Sequence, residues 1–220
     1  MKEAIKLISK TVPTQQMEME WLEVHCDGSD HMPSKELISV VARHGAVKED
    51  NGRLLRYLIK NKHWSPLEHV SMTFRATTSR AVSAQIFRHR SMQFQELSQR
   101  YDKIVSIEDV EFRLEHKTNR QSSSDVAGLM LNNGADVELK GEHCYKEVAG
   151  AILKASEELI SVANAYNALV EAGVAKETAR MILPMASTTK IHITGNLRSL
   201  LAFLNVRLDH HTQKEHREIA

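Results

Sequence analysis

Glu142 to Ala172 is the longest periodic stretch in the chain. Val148, Ile152, Leu159, Val162, Tyr166, Leu169 and Val170 recur at helical spacing, and Gly173 follows as a stop. A helix of that length must lay one apolar stripe on something. The surrounding sequence offers both strands and shorter helices as partners. Ala4–Ser9 alternates loosely as a first strand. Val70, Met72 and Phe74 alternate with Ser71, Thr73 and Arg75, and Ser187–Thr194 is rich in β-branched residues. Ser34 is positioned to cap a helix entering Leu37, Val40 and Val41, and Leu54, Leu55 and Leu58 mark a helix over 51–60. Ser79–Phe87 reads as a helix delivering Arg88, Lys176–Leu183 as one ended by Pro184, and Leu200–Val206 as one entered through Gly195. Tyr101–Phe112 reads as extended. Asn119–Gly141 is polar, with Ser122-Ser123-Ser124 and Asn132-Asn133-Gly134, and reads as loop. Strands and helices without strict alternation point to an α+β fold: a mixed, largely antiparallel sheet flanked by helices, with the long helix at 142–172. With no linker and no internal repeat, residues 1–220 are expected to form a single domain.

Lys plus Arg number 29 and Asp plus Glu 28, so the net charge is +1. A dedicated nucleic-acid binder usually carries a strong basic excess, so none is expected here. No apolar run approaches the eighteen or so residues of a membrane span, and no membrane association is expected. Cys26 and Cys144 have no CxxC spacing, no secretory leader precedes them, and neither lies in an arginine-rich motif. They read as reduced thiols in a cytoplasmic protein, not as nucleophiles.

The arginines are concentrated. Residues 88–101 read RHRSMQFQELSQRY, with Met92, Phe94 and Leu97 interleaved among the charges. A solvated basic patch has no need of that interleaving, whereas an anion site does, because excluding water strengthens each ionic hydrogen bond. Arg88, Arg90 and Arg100 offer forks that match phosphate oxygens, and Glu96 and Ser98 could fix a sugar, a base or one of those arginines. His63-Trp64-Ser65-Pro66-Leu67-Glu68-His69 places an extended Ser65 before a proline, where its hydroxyl could face a ligand. Taken alone it reads as a loop with two histidines, and Glu68 and His69 could pair structurally. Arg180, among apolar neighbours before Pro184, is either buried with a carboxylate or aimed at an anion. On one continuous helix, Asn196 and Arg207 would share a face, since eleven residues advance about 1100°. His211 would lie one turn beyond, and Arg198 would point the opposite way. Gln85 lies one helical turn before Arg88 and can donate and accept at once, which suits a pyrimidine edge. His210, His211 and His216 with Glu215 and Glu218 invite a metal reading, but without HExxH or a cysteine partner no metal is expected. No GxGxxG or Walker motif is present.

Arg88-His89-Arg90, then seven residues, then Ser98, with Glu96 two before that serine and Arg100-Tyr101 after it, resembles the signature of the flavin-dependent thymidylate synthases. The resemblance extends from about Leu37 to His211. It takes in His63-x-Ser65-Pro66-x-Glu68-His69, Arg180-x-x-Leu183-Pro184, Asn196-x-Arg198 and the run around Arg207. The sequence departs from the pattern at Gln93 (usually Ser), Gln95 (usually Asn), Leu67 (usually Phe), Ala202 (usually Asn) and Ala42-Arg43-His44-Gly45 (usually Ala-Arg-Val-Ser). It also stops nine residues past His211, where many relatives continue, as a compact phage-type or truncated form would.

The resemblance implies methylation of dUMP to dTMP, with methylenetetrahydrofolate as carbon donor and FAD and NADPH as reductants. It implies Arg207 as the activating, catalytic residue. Gln85, Arg88, Glu96, Ser98, Gln99, Arg100, Arg180 and Arg207 would bind dUMP. Ser65, Arg88, His89, Arg90, Gln95, Glu96, Asn196, Arg198 and His211 would bind FAD, with His63 near the folate or nicotinamide. It further implies a homotetramer with shared sites in the cytoplasm of a bacterial or phage-infected bacterial cell. The alternative is a non-catalytic nucleotide-binding relative that has lost productive flavin binding, which Gln93, Gln95 and Ala202 would favour.

Overall fold

A computed structural model describes residues 5–12, 38, 41–43, 52–103, 106–116, 118–119, 123–132, 136–139 and 146–220. The sequence readings at Ser34, Leu37, Val40, Cys26 and Cys144 lie outside these residues.

The described elements run β1 (Ile5–Lys10), α1 (Gly52–Lys60), a 3-10 turn (Ser65–His69), β2 (Ser71–Ser79), α2 (Arg80–Ile86), β3 (Gln93–Glu96), β4 (Val110–Glu115), β5 (Ser123–Asn132), β6 (Asp136–Leu139), α3 (Lys146–Glu171), α4 (Lys176–Ala179), a 3-10 turn (Arg180–Ile182), β7 (Thr188–Asn196), α5 (Leu197–Arg207) and α6 (Lys214–Ile219). The α+β expectation holds. The strands form two sheets, β1-β2-β7-β3 and β4-β5-β6, in which every described pairing is antiparallel.

β7 is the spine of the larger sheet. It pairs with β2 along its whole length, from Ser71 opposite Asn196 to Ser79 opposite Thr188, and with β3 on its other edge. Its burial alternates with the period of two that a strand imposes: Thr189, Ile191, Ile193 and Gly195 are buried. The main core gathers there, with Ala76, Val82, Ile86, Met92, Ile191, Ile193, Phe203 and Ile219 packed together. Gly195 has a packing reason. A Cβ at that position would lie 3.0 Å from Met92 Cγ and 3.3 Å from its Sδ, so the glycine lets the start of β3 close over β7. A second cluster of Ile38, Leu58, Leu67 and Val70 seats α1 and the first 3-10 turn against Leu197 and Leu201 of α5.

The long helix α3 is described over Lys146–Glu171 and ends as expected. Gly173 takes φ +89°, donates to the Val170 carbonyl at 3.1 Å, and Val174 donates to the Leu169 carbonyl at 2.9 Å. Ile152 near its start packs on Phe112 and Leu114 of β4, and Tyr166 near its end packs on Ala179 of α4.

Three readings are corrected. Asn119–Gly141 is not loop: β5 and β6 pair there, with Asn132 opposite Asp136. Tyr101–Phe112 is extended only in part: residues 101–102 turn back on Ser98, while residues 106–108 bridge to residues 186–188 and Val110 onward pairs with β5. Gly195 lies inside β7 and does not open the next helix; Asn196 caps α5 instead, its side chain accepting from Ser199 N at 2.9 Å.

Candidate active site

Two helix ends meet over β3. α2 is capped by Ser79, whose hydroxyl accepts from Val82 N, and it runs out at Ile86. The chain then turns through Arg88-His89-Arg90 into β3, with His89 N bonded to the Ile86 carbonyl at 3.1 Å and Met92 N to the His89 carbonyl at 3.3 Å. From the other side, α5 ends at Arg207, whose Nε donates to His89 Nε2 at 2.8 Å. That contact joins residues 118 positions apart and fixes the imidazole: Nε2 is the acceptor, so the neutral ring carries its proton on Nδ1. Burial and the Arg207 charge push the His89 pKa down, which keeps the ring an acceptor. Its edge rests on Phe203, 4.9 Å between centroids.

Gln85, on the last turn of α2, faces α6. Its Nε2 donates to Gln213 Oε1 at 2.6 Å, and its Oε1 lies 3.2 Å from His216 Nδ1. His216 is fully buried against Phe203. Burial, with Arg207 and His89 nearby, pushes its pKa down to about 4. Sequence reasoning missed this role for α6, because Gln213, Glu215 and His216 sit about 130 residues from Gln85 and carry no local signal of the partnership.

Glu96 closes β3 by pairing with Arg80 and accepting from Ser83 Oγ at 3.0 Å. It therefore fixes an arginine, but one from α2 and not Arg88, Arg90 or Arg100. The guanidinium groups of Arg88 and Arg90 are exposed and make no ion pair among the described residues. Gln95 is exposed on β3, opposite His192. Ser98 accepts backbone bonds from Tyr101 N and Asp102 N, a turn that carries the buried Gln99 and the exposed Arg100. Lys176 Nζ ties this turn to α4 by donating to the Tyr101 carbonyl at 2.6 Å. Arg100, Tyr101, Lys176 and Glu177 line one shallow cleft there. Arg180 stands at the start of the second 3-10 turn, with Nε donating to the Glu177 carbonyl at 3.3 Å. No hydrogen bond or ion pair among the described residues links it to Arg88 or Arg207.

The far end of α5 holds a second group. Arg198 pairs with Glu68 of the first 3-10 turn, so Glu68 binds across the structure and does not pair with His69. Ser65 and His63 are exposed nearby on the same segment, with His63 edge-on to Tyr57 at 5.8 Å. Between α1 and α5 runs a groove of about 700 Å³, lined by Ile59, Trp64, Leu201, Ala202, Leu204 and Leu208 together with Lys62, Arg198 and Asn205. Apolar walls with two cations and an amide fit a flat aromatic ring bearing an anionic tail. Asn196 spends its carboxamide oxygen on the α5 cap. His211 does not extend the helix, because α5 ends at Arg207; the exposed His211 ring bonds Asp209 at 2.8 Å instead. Asp209, His210 and His211 bring three possible metal-ligand atoms within 4.8 Å of one another, all exposed. His216 faces Gln85, apart from that group.

The fold brings arginine, histidine and amide side chains to both ends of α5: Arg207, His89 and Gln85 at one, Arg198 and Asn205 at the other. The chain matches the family described as thymidylate synthase complementing protein over residues 6–220. It is 35% identical over 219 residues to the flavin-dependent thymidylate synthase of Synechocystis sp., covering 98% of this chain and 90% of that one. Enzymes of the same description from Thermosipho melanesiensis (35% over 172 residues, 78% of this chain and 69% of the relative) and Thermotoga neapolitana (31% over 173 residues, 79% and 68%) are also similar. The chain belongs to the flavin-dependent thymidylate synthase family, and it is an enzyme of that family. None of its described helices is long and apolar enough to cross a membrane.

Proposed function

We propose that this protein methylates dUMP at C5 to give dTMP, using methylenetetrahydrofolate as carbon donor, FAD as bound cofactor and NADPH as reductant. The observation that carries the reading is the Arg207–His89 bond, which sets the end of α5 directly on the Arg-His-Arg loop and near His216, the partner of Gln85. A guanidinium held there, by a neutral acceptor that leaves its charge intact, stabilises negative charge developing on a uracil ring. Gln85 contacts the base edge. Arg88, Glu96, Ser98, Gln99, Arg100 and Arg180 hold the sugar and phosphate, with Ser98 binding and not attacking, since no hydrogen bond among the described residues joins its hydroxyl to a base. Ser65, His89, Arg90, Gln95, Asn196, Arg198 and His211 belong to the flavin pocket, and His63 to the folate or nicotinamide side. Hydride chemistry at C5 is what bound reduced FAD supplies, so no side-chain nucleophile is required.

Arg180 and Arg88 lie on different elements, and the proposed site draws on more than one subunit. The reading therefore includes a single-domain protomer in a cytoplasmic homotetramer. The test is an absorbance spectrum of the purified protein followed by a dTMP assay. A flavin band, with turnover lost but flavin kept in Arg207→Ala, is the expected result. A colourless protein that takes up no added FAD would replace this reading with that of a non-catalytic nucleotide binder.

A further inference from the structure

The Gln85 amide is held at both ends, and the direction of each bond is dictated from a distance. Glu215 is the origin. Arg113 Nη2 grips both of its carboxylate oxygens, at 2.7 and 2.8 Å. Burial works against ionisation there, but a backbone amide, Arg113 and Gln213 outweigh it and hold the carboxyl below its ordinary range. An ionised carboxylate only accepts. The atom of Gln213 lying 2.9 Å from Glu215 Oε2 must therefore be its Nε2 donor, which turns Gln213 Oε1 toward Gln85. That oxygen, 2.6 Å from Gln85, needs an N–H, so the Gln85 nitrogen points to α6 and its oxygen to His216. His216 completes the order by donating from Nδ1. The alternative tautomer would set two lone pairs against each other at 3.2 Å. Reversing any one amide in this row leaves an acceptor facing an acceptor somewhere along it.

We propose that Glu215, Gln213 and His216 form a one-way hydrogen-bond relay that fixes which end of the Gln85 amide donates and which accepts, and thereby makes the site selective for uracil over cytosine. The three are positioning residues, and the assignment rests on Gln85 being the base contact of the proposed function. Gln85 keeps one N–H and one carbonyl lone pair for a ligand. Uracil and cytosine present opposite polarity at position 4 and at N3: carbonyl and N–H in one, amino group and bare nitrogen in the other. An amide locked in one orientation matches only one of these orders. An amide free to flip matches either.

The experiment is calorimetric titration of the FAD-loaded protein with dUMP and with dCMP. Wild type is expected to prefer dUMP. Gln213→Leu and His216→Phe should each reduce the dUMP-to-dCMP affinity ratio roughly tenfold, partly by gaining dCMP. His216→Asn, whose side-chain nitrogen can replace the Nδ1 donor, should keep the ratio within about twofold. Gln213 is exposed, so its replacement gives the result even where a buried substitution harms folding. Affinities for both nucleotides falling in parallel, or a ratio that stays fixed in Gln213→Leu, would overturn the relay while leaving dUMP binding in place. Wild type binding neither nucleotide would instead remove the functional reading, and the relay with it.

Discussion

Acidification should destabilise this protein through one histidine. His216 is fully buried, with Arg207 and His89 close to it. Burial first, then the Arg207 charge and the neighbouring His89, lower its pKa from 6.5 to about 4. The folded chain therefore binds this proton less well than the unfolded chain. The stabilisation is complete above the unfolded value and is lost as pH falls toward the folded one. Each pH unit in that window is worth about 1.4 kcal/mol. Moving from neutrality to pH 5 should remove about 2 kcal/mol, and the loss should level off near about 3 kcal/mol below the folded pKa. Urea denaturation of wild type and His216→Phe at pH 7, 6 and 5 reads this directly. Carboxylates and His89 titrate in both proteins, so subtracting the two curves isolates the His216 contribution. The variant's stability should fall by about 2 kcal/mol less than that of wild type between pH 7 and 5. Parallel curves would refute the reasoning, showing that the ring is solvated or paired in its charged form.

Arg180→Ala should weaken dUMP binding by about tenfold or more while leaving flavin affinity within about twofold, as separate titrations of each ligand would reveal; equal losses would reassign the residue. Gly173→Ala, which forces a side chain onto a φ of +89°, should cost about 1 kcal/mol and lower the melting temperature by a few degrees. An unchanged melting temperature would mean that the end of α3 relaxes freely.

Local rules made much of the fold legible. Alternation found β2 and β-branched residues found β7, and the Gly173 stop was visible because only a glycine readily takes that backbone. The polar stretch before α3 misled because composition outweighed pattern. Asn133-Gly134 flanked by Leu129, Leu131 and Val137 is a hairpin signal, and β5 and β6 pair on either side of it. In the site, the Arg-His-Arg spacing was readable. The Arg207–His89 bond, the Arg80–Glu96 pair and the Glu68–Arg198 pair were not, because sequence spacing says nothing about partners brought together by the sheet. Helical arithmetic extended past Arg207 also failed at His211, since the helix stops where Leu208 N bonds back to the Leu204 carbonyl.

α5 is anchored at both extremities, by Arg198 to Glu68 and by Arg207 to His89. Eleven residues at about 1.5 Å each make it a rod of roughly 16 Å. It acts as a ruler: the gap between the groove beside α1 and the Arg-His-Arg loop is measured in helical residues. Inserting a single residue would swing Arg207 through about 100° and off its histidine, however faithfully every side chain were preserved.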